Sequence, residues 1–233
     1  MVKPRQADDR FRNQLLSQFS PQSIEELALQ SVDLPVGMTL YEPNQLIDHV
    51  YFPESGAVSV VSTMEDGHTI EVGTIGREGM AGSMLLMDSR NVPFRYFVQV
   101  AGAGYRIGAE RFKETIDSRP ELRNLVLRFE VAFRTQVMQG MACNGLHSIQ
   151  QRCCRWLLMT RDRVDSDDLK LSHEFLGFML GVRRASVTDV LGPLQAAGMV
   201  SSNRGTITIL DRKAIEEKVC ECYWVMSPRE LIG

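Results

Sequence analysis

The sequence predicts an α+β protein: an N-terminal antiparallel β barrel or jelly roll, a long helix, and a C-terminal winged helix-turn-helix. Three observations predict it. Between residues 35 and 108, short apolar or alternating runs are punctuated by Gly37, Gly56, Gly67, Gly73, Gly76, Gly79 and Gly82, as expected for many short antiparallel strands. From about Pro120 the apolar period lengthens from two residues to about 3.6, the helical value. Over 171–209, two short helical patterns meet at Gly181, and two alternating runs flank Asn203-Arg204-Gly205.

Residues 1–34 read as a polar arm and short helices. Ser20-Pro21-Gln22-Ser23 is a helix start, with Ser20 as the cap and Pro21 in the first turn. Ile24, Leu27 and Ala28 supply one apolar face. In the barrel segment, Val58-Ser59-Val60 and Thr69-Ile70-Glu71-Val72 alternate around Glu65-Asp66-Gly67. Asp-Gly tolerates positive φ and favours a hairpin turn. Tyr96-Phe97-Val98-Gln99-Val100 is a further strand.

Leu122, Leu125, Val126, Phe129, Phe133, Gln136, Val137 and Gly140 form one stripe on a helix over 121–147, and a long stripe must be buried. Packing on the barrel and a two-helix dimer seam both satisfy that need. A second helix over 148–163 carries Arg152, Arg155, Arg161 and Arg163. Val164–Asp168 reads as a polar, acidic linker.

Ser172 caps the next helix, and Glu174 suits its positive dipole end. After the Gly181-Val182 turn a new helix begins near Arg183-Arg184. Its core face is Val187, Val190, Leu191 and Leu194; its other face is Arg184, Ala185, Thr188 and Asp189. Two short helices joined in this way place the second in the DNA major groove. Cations at a helix N-terminus cost roughly 0.3–1 kcal/mol, a penalty that a nearby phosphate reverses. Pro193 should kink this helix, which puts the base-reading part before Gly192. Asn203-Arg204-Gly205 turns a wing whose tip, Arg204, can meet backbone phosphate.

Composition sets limits. The chain has 233 residues, 44 % of them apolar and 24 % charged, with a net charge of −3. No run of 18 or more apolar residues occurs, so no transmembrane helix is expected. Met1-Val2-Lys3-Pro4-Arg5 has no apolar stretch behind it, which argues against a signal peptide and for the cytoplasm. The charge is unevenly divided: −4 over residues 1–147, +2 over 148–212 and −1 over 213–233. The positive segment permits a nucleic-acid partner. The five cysteines, Cys143, Cys153, Cys154, Cys220 and Cys222, read as reduced, small buried hydrophobes. Cys220-Glu221-Cys222 together with the Cys153-Cys154 pair is the alternative, a metal or oxidant site. Its spacing is weaker than paired Cys-x-x-Cys, and no metal ligands are assigned. His49 and His68 lie nineteen residues apart with no His-x-His pair, which argues against a cupin-like enzyme.

Leu171-Ser172-His173-Glu174-Phe175-Leu176, Leu180 through Thr188, Leu194 through Val200 and Gly205-Thr206-Ile207-Thr208-Ile209 resemble the winged helix-turn-helix of the Crp/Fnr transcription regulators. The order of parts before them matches as well. The resemblance implies a cyclic-nucleotide-binding-like jelly roll over 1–118, a dimerisation helix over 119–147 and a DNA-binding domain over 148–233. It implies a cytoplasmic homodimer on an inverted-repeat site in double-stranded DNA, with RNA polymerase as a partner and no membrane. By position, Ser172, Arg183, Arg184, Ala185, Ser186, Thr188, Asp189 and Arg204 fall in the DNA-contacting parts.

The family's cyclic-AMP pocket uses Gly-Glu-Leu for the ribose and Arg-Ser for the phosphate. Here the first stretch reads Ala81-Gly82-Ser83-Met84, with Ser83 at the glutamate position. The second reads Asn91-Val92-Pro93-Phe94-Arg95, with Arg95 displaced. Gly82, Ser83, Met84, Phe94 and Arg95 would line an effector pocket, but a buried phosphate without its arginine is costly. Cyclic AMP is therefore not expected as the effector, and no cofactor is assigned. The iron–sulfur cluster of some relatives needs N-terminal cysteines, and the first cysteine here is Cys143. A haem would need His49 or His68 as ligand. A barrel that binds no small molecule is the other open reading.

Overall fold

A computed structural model describes residues 10–227; the Met1–Arg5 stretch lies outside them. Helix α1 (Pro21–Leu27) starts as its sequence requires, with Ser20 Oγ accepting from the Ser23 backbone N–H at 3.2 Å. Leu27 is buried, whereas Ala28 is exposed and ends the helix at φ 47°. The N-terminal arm is not only helical: its last residues form strand β1 (Gln30–Leu34). Pairing with a strand some seventy residues away overrides a local pattern too short to show alternation.

Six strands follow: β2 (Thr39–Tyr41), β3 (His49–Pro53), β4 (Ala57–Thr63), β5 (Thr69–Ile75), β6 (Arg95–Val100) and β7 (Gly102–Gly108). One sheet has the order β1-β7-β3 and the other β2-β6-β4-β5. In the first, Gln30 pairs with Arg106 and His49 with Gly108, both antiparallel. The Asp66-Gly67 turn joins β4 to β5, with Gly67 at φ 86° and Met64 N–H donating to His68 O. Tyr41, Tyr51 and Tyr96 fill the interior. The Tyr41 ring meets Tyr96 edge-on at 5.1 Å and Tyr51 at 6.2 Å. Buried tyrosines need a partner, and Tyr41 Oη donates to His49 O at 2.7 Å.

Helix α2 (Ala109–Ser118) leads into α3 (Pro120–Leu146). Ser148 and Gln151 form a reciprocal capping box that starts α4 (Ile149–Val164), so the chain breaks and restarts its helix there. Next come β8 (Asp168–Leu169), α5 (His173–Leu180), α6 (Arg184–Ala196), β9 (Val200–Asn203), β10 (Thr206–Ile209), α7 (Arg212–Glu216) and α8 (Cys222–Met226). The acidic linker is partly a strand: β8 pairs with β10, and Thr208 Oγ1 donates to Asp168 Oδ1 at 2.6 Å. Helix α6 runs through Pro193 to Ala196. Its buried face, Val187, Leu191 and Leu194, holds it against the domain.

The chain divides into two compact units. One runs to Val60 and resumes over Thr74–Phe133; the other comprises Val61–Gly73 and the chain from Arg134 onward. No helix among the described residues is long and apolar enough to cross a membrane.

Candidate nucleic-acid interface

Ser172 Oγ accepts from the Phe175 backbone N–H at 3.0 Å and fixes the start of α5. Gly181 ends it at φ 64°, a left-handed conformation in which glycine has no steric penalty. A Cβ there would also lie 2.8 Å from Ile70 Cδ1. Arg183 precedes the first turn of α6 in extended conformation, with no side-chain cap. Arg183, Arg184, Ala185, Thr188 and Asp189 are exposed and Ser186 is half-buried. The face opposite the buried Val187–Leu191–Leu194 stripe is therefore open to a groove.

The wing is a two-residue hairpin. Thr206 pairs with Asn203, while Arg204 and Gly205 occupy the turn at φ 45° and 81°. Positive φ at both central residues matches the right-handed twist of hairpin strands and leaves the Arg204 side chain exposed at the tip. One residue missed in the sequence ties these parts together. His173 places Nδ1 3.1 Å from Thr188 Oγ1 on α6 and Nε2 2.9 Å from Ser202 Oγ on β9. Burial, and then the charge of Arg184, push its pKa below the ordinary histidine value. Only the long-range pairing of β9 brings Ser202 near, so no local pattern could have shown this link.

Three of the four arginines of α4 are buried rather than forming the basic face their sequence suggested, and the fourth, Arg161, pairs with Asp167 at 2.8 Å. Arg152, Arg155 and Arg163 are 8 %, 7 % and 1 % exposed. Arg152 donates to Leu180 O at 3.0 Å, and Arg163 to Met159 O at 2.9 Å. Arg155 lies against the sulfurs of Met159 and Met226. Their charges join buried elements of the domain, whereas Arg183, Arg184 and Arg204 are exposed. Beside the start of α6, the β4–β5 hairpin tip walls a cleft of about 660 Å³ lined by His68, Ile70, Phe178, Arg183 and Arg184.

Two family models match the chain: a cyclic nucleotide-binding domain over residues 31–119 and a Crp-like helix-turn-helix domain over residues 151–218. The chain belongs to the Crp/Fnr family of transcription regulators. Among relatives of this Crp/Fnr protein, the global nitrogen regulator of Synechococcus elongatus is 24 % identical over 216 residues, 88 % of this chain and 97 % of that protein. A Crp/Fnr regulator from Eubacterium rectale shares the fold with a TM-score of 0.70 at 20 % identity, covering 89 % of this chain and 98 % of that one. The c-di-GMP responsive regulator CLP of Xanthomonas campestris does so with a TM-score of 0.67 at 18 % identity, covering 82 % and 99 %.

In this Crp/Fnr protein the residues expected to line an effector pocket are engaged with their own chain. Gly82 adopts φ 100° ahead of a short 3-10 turn over Ser83–Met87, and a Cβ there would lie 2.7 Å from Tyr41 Oη. Ser83 Oγ donates to Glu130 of α3. Met84 and Phe94 are half-buried. Arg95 pairs with Glu42 at 3.3 Å, donates to Thr39 Oγ1 at 2.9 Å and lies over the Phe97 ring.

The stripe expected at a Crp/Fnr dimer seam is largely covered within one chain. Leu122, Val126, Phe129 and Gln136 are at most 1 % exposed, and Leu125, Phe133, Val137 and Gly140 are half-buried. Phe129 lies so close to Gly79 that a Cβ there would strike its ring. The exposed large apolar residues of α3 are instead Leu127, Val131, Met138 and Met141, on the opposite side of the stripe, and Leu146 at the helix end. Periodicity reveals that a stripe exists but not which partner covers it.

All five cysteines are free and buried. Three of them converge, in a combination the sequence did not suggest: Cys220 and Cys222 meet Cys143 and His147 of α3, with no part for Cys153 or Cys154. Burial pushes the Cys220 thiol up to about 12, and Cys222 upward as well. The local signal was the i, i+4 spacing of Cys143 and His147, which sets both side chains on one helix face.

Proposed function

We propose that this Crp/Fnr protein is a cytoplasmic homodimer that binds an inverted-repeat DNA site with sequence specificity and regulates transcription there. The observation that carries this reading is the exposed face of α6. Arg183 and Arg184 stand uncapped at its positive end, with Thr188 and Asp189 one turn on. Arg184 has the reach and fork geometry to read guanine, and Asp189 can accept from a cytosine amino group. Arg183, Ser172 and Ser186 sit where phosphate contacts set register, and Arg204 reaches the flanking backbone. Two copies related by a two-fold axis would place two such helices about 34 Å apart in successive major grooves.

The dimer seam runs along the exposed stripe of α3. Leu127, Val131, Met138 and Met141 follow the 3.5-residue repeat of a two-helix coiled coil, and the Leu122–Phe129 face packs the same chain. The barrel senses a signal other than cyclic AMP. Arg95 is held by Glu42, Ser83 by Glu130, and Tyr41 closes over Gly82. A signal that favours one arrangement of the α3 pair shifts the population of DNA-competent dimers. RNA polymerase is the partner on which such a regulator acts.

Selection from a random duplex library with purified full-length protein tests the reading. The expected product is a symmetric inverted repeat with half-sites about one helical turn apart. Recovery of sequences without symmetry would remove the dimeric reading, and recovery without any preference would remove specific binding.

A further inference from the structure

The cysteine–histidine cluster lies within one compact unit, where the last turns of α3 meet the segment entering α8. Cys143 Sγ is 3.5 Å from Cys220 Sγ, and Cys222 Sγ is 3.5 Å from His147 Nδ1. All four ligand atoms lie within 4.8 Å of one another. A tetrahedral zinc ion with bonds of about 2.3 Å to sulfur and 2.0–2.1 Å to nitrogen spaces its ligands by roughly 3.5–3.8 Å. The cluster therefore needs only small side-chain adjustments to enclose one ion, and it is too tight for a multi-iron cluster.

We propose that Cys143, His147, Cys220 and Cys222 bind a zinc ion. Three thiolates and one imidazole form a closed four-coordinate set, the composition of structural zinc sites rather than catalytic ones. The surroundings fit this chemistry. His147 turns Nδ1 toward the thiols while its Nε2 lies 3.4 Å from Glu221 Oε2. A carboxylate behind a ligand histidine fixes its tautomer and raises its basicity. Gln139 Nε2 donates to Cys222 Sγ at 3.1 Å, which stabilises a thiolate. Binding releases three thiol protons and leaves a net charge of −1, opposed by Arg152, whose charge interacts with Cys143. The ion would fasten the end of α3 to the C-terminal segment, so that its binding free energy becomes folding free energy of this unit.

Full-length protein purified under reducing conditions without chelator is expected to carry about one zinc per chain by plasma mass spectrometry. Exchange into cobalt(II) should give thiolate charge-transfer bands and the visible bands of a tetrahedral site. Cys222→Ser and His147→Ala should abolish both signals, whereas Cys153→Ser should keep them. Should the ligand variants fail to fold, Glu221→Gln at an exposed position serves instead. Its zinc affinity, measured against a competing chelator, should fall by about 10–100-fold with the circular dichroism unchanged. Wild-type protein that takes up neither metal, or zinc retained at full occupancy in Cys222→Ser and His147→Ala, overturns the assignment. So does a Cys143–Cys220 disulfide formed in place of metal uptake.

Discussion

His173 Nε2 lies 2.9 Å from Ser202 Oγ, and through its other nitrogen the same imidazole reaches Thr188 of the recognition helix. One side chain at the start of α5 thus holds reader and wing in fixed relation. Burial and Arg184 depress its folded pKa below 6.5, whereas the unfolded chain protonates it at about 6.5. Between those values the unfolded state binds more protons, so stability rises with pH. The contribution is complete above about 6.5 and is lost as pH falls through the depressed value. Melting temperature should drop on acidification through this range, and His173→Gln should remove part of that drop. An identical pH profile in the variant would show that His173 does not titrate this way.

Two neighbouring positions on α3 should behave oppositely. Phe129→Ala opens a cavity beside Gly79 and should cost about 3–5 kcal/mol in unfolding free energy, as large aromatic truncations in cores do. Val131 is 68 % exposed. Val131→Glu with Met138→Glu should leave the melting of the monomer nearly unchanged and convert the dimer to monomer in sedimentation velocity. A double variant that still sediments as a dimer would place the seam elsewhere.

The contrast between these positions shows what sequence alone can reveal. The Asp66-Gly67 hairpin, the Ser20 and Ser172 caps, the Gly181 turn and the Arg204-Gly205 wing were legible because each is fixed by residues within four positions of one another. Strands β1 and β8 were hidden because their partners are distant and each is short. The arginines of α4 looked like a basic face because charge is visible in a sequence and burial is not. The cysteine–histidine cluster was only half visible for a similar reason: Cys220-Glu221-Cys222 stood out, but Cys143 and Cys220 are 77 residues apart, and Cys153-Cys154 offered a nearer, misleading pair.

Trp156 Nε1 donates to Glu71 Oε2 at 2.6 Å, which joins α4 to the β4–β5 hairpin. The indole is 4 % exposed, so its N–H cannot turn to water. Glu71→Ala should leave it unsatisfied at a cost of about 1–3 kcal/mol. Trp156 and Trp224 are the two tryptophans, so a Trp224→Phe background isolates the signal. In that background Glu71→Ala should shift the emission and lower the melting temperature. Unchanged emission would mean that the hairpin does not hold this contact in solution.

Arg184 and Arg204 separate base reading from backbone attraction. If Arg184 forks onto guanine O6 and N7, Arg184→Ala should cost about 1–3 kcal/mol on the selected site and relax preference at one position per half-site. Arg204 stands at the wing tip with no base edge implied. Arg204→Ala should weaken all sequences about equally and reduce the slope of log affinity against log salt by roughly one per wing. Fluorescence anisotropy across a salt series, on the selected site and on each single-base variant, distinguishes the two roles. Uniform weakening by Arg184→Ala would make it a phosphate contact and leave base reading to Thr188 and Asp189, whose exposed side chains lie one turn further along α6.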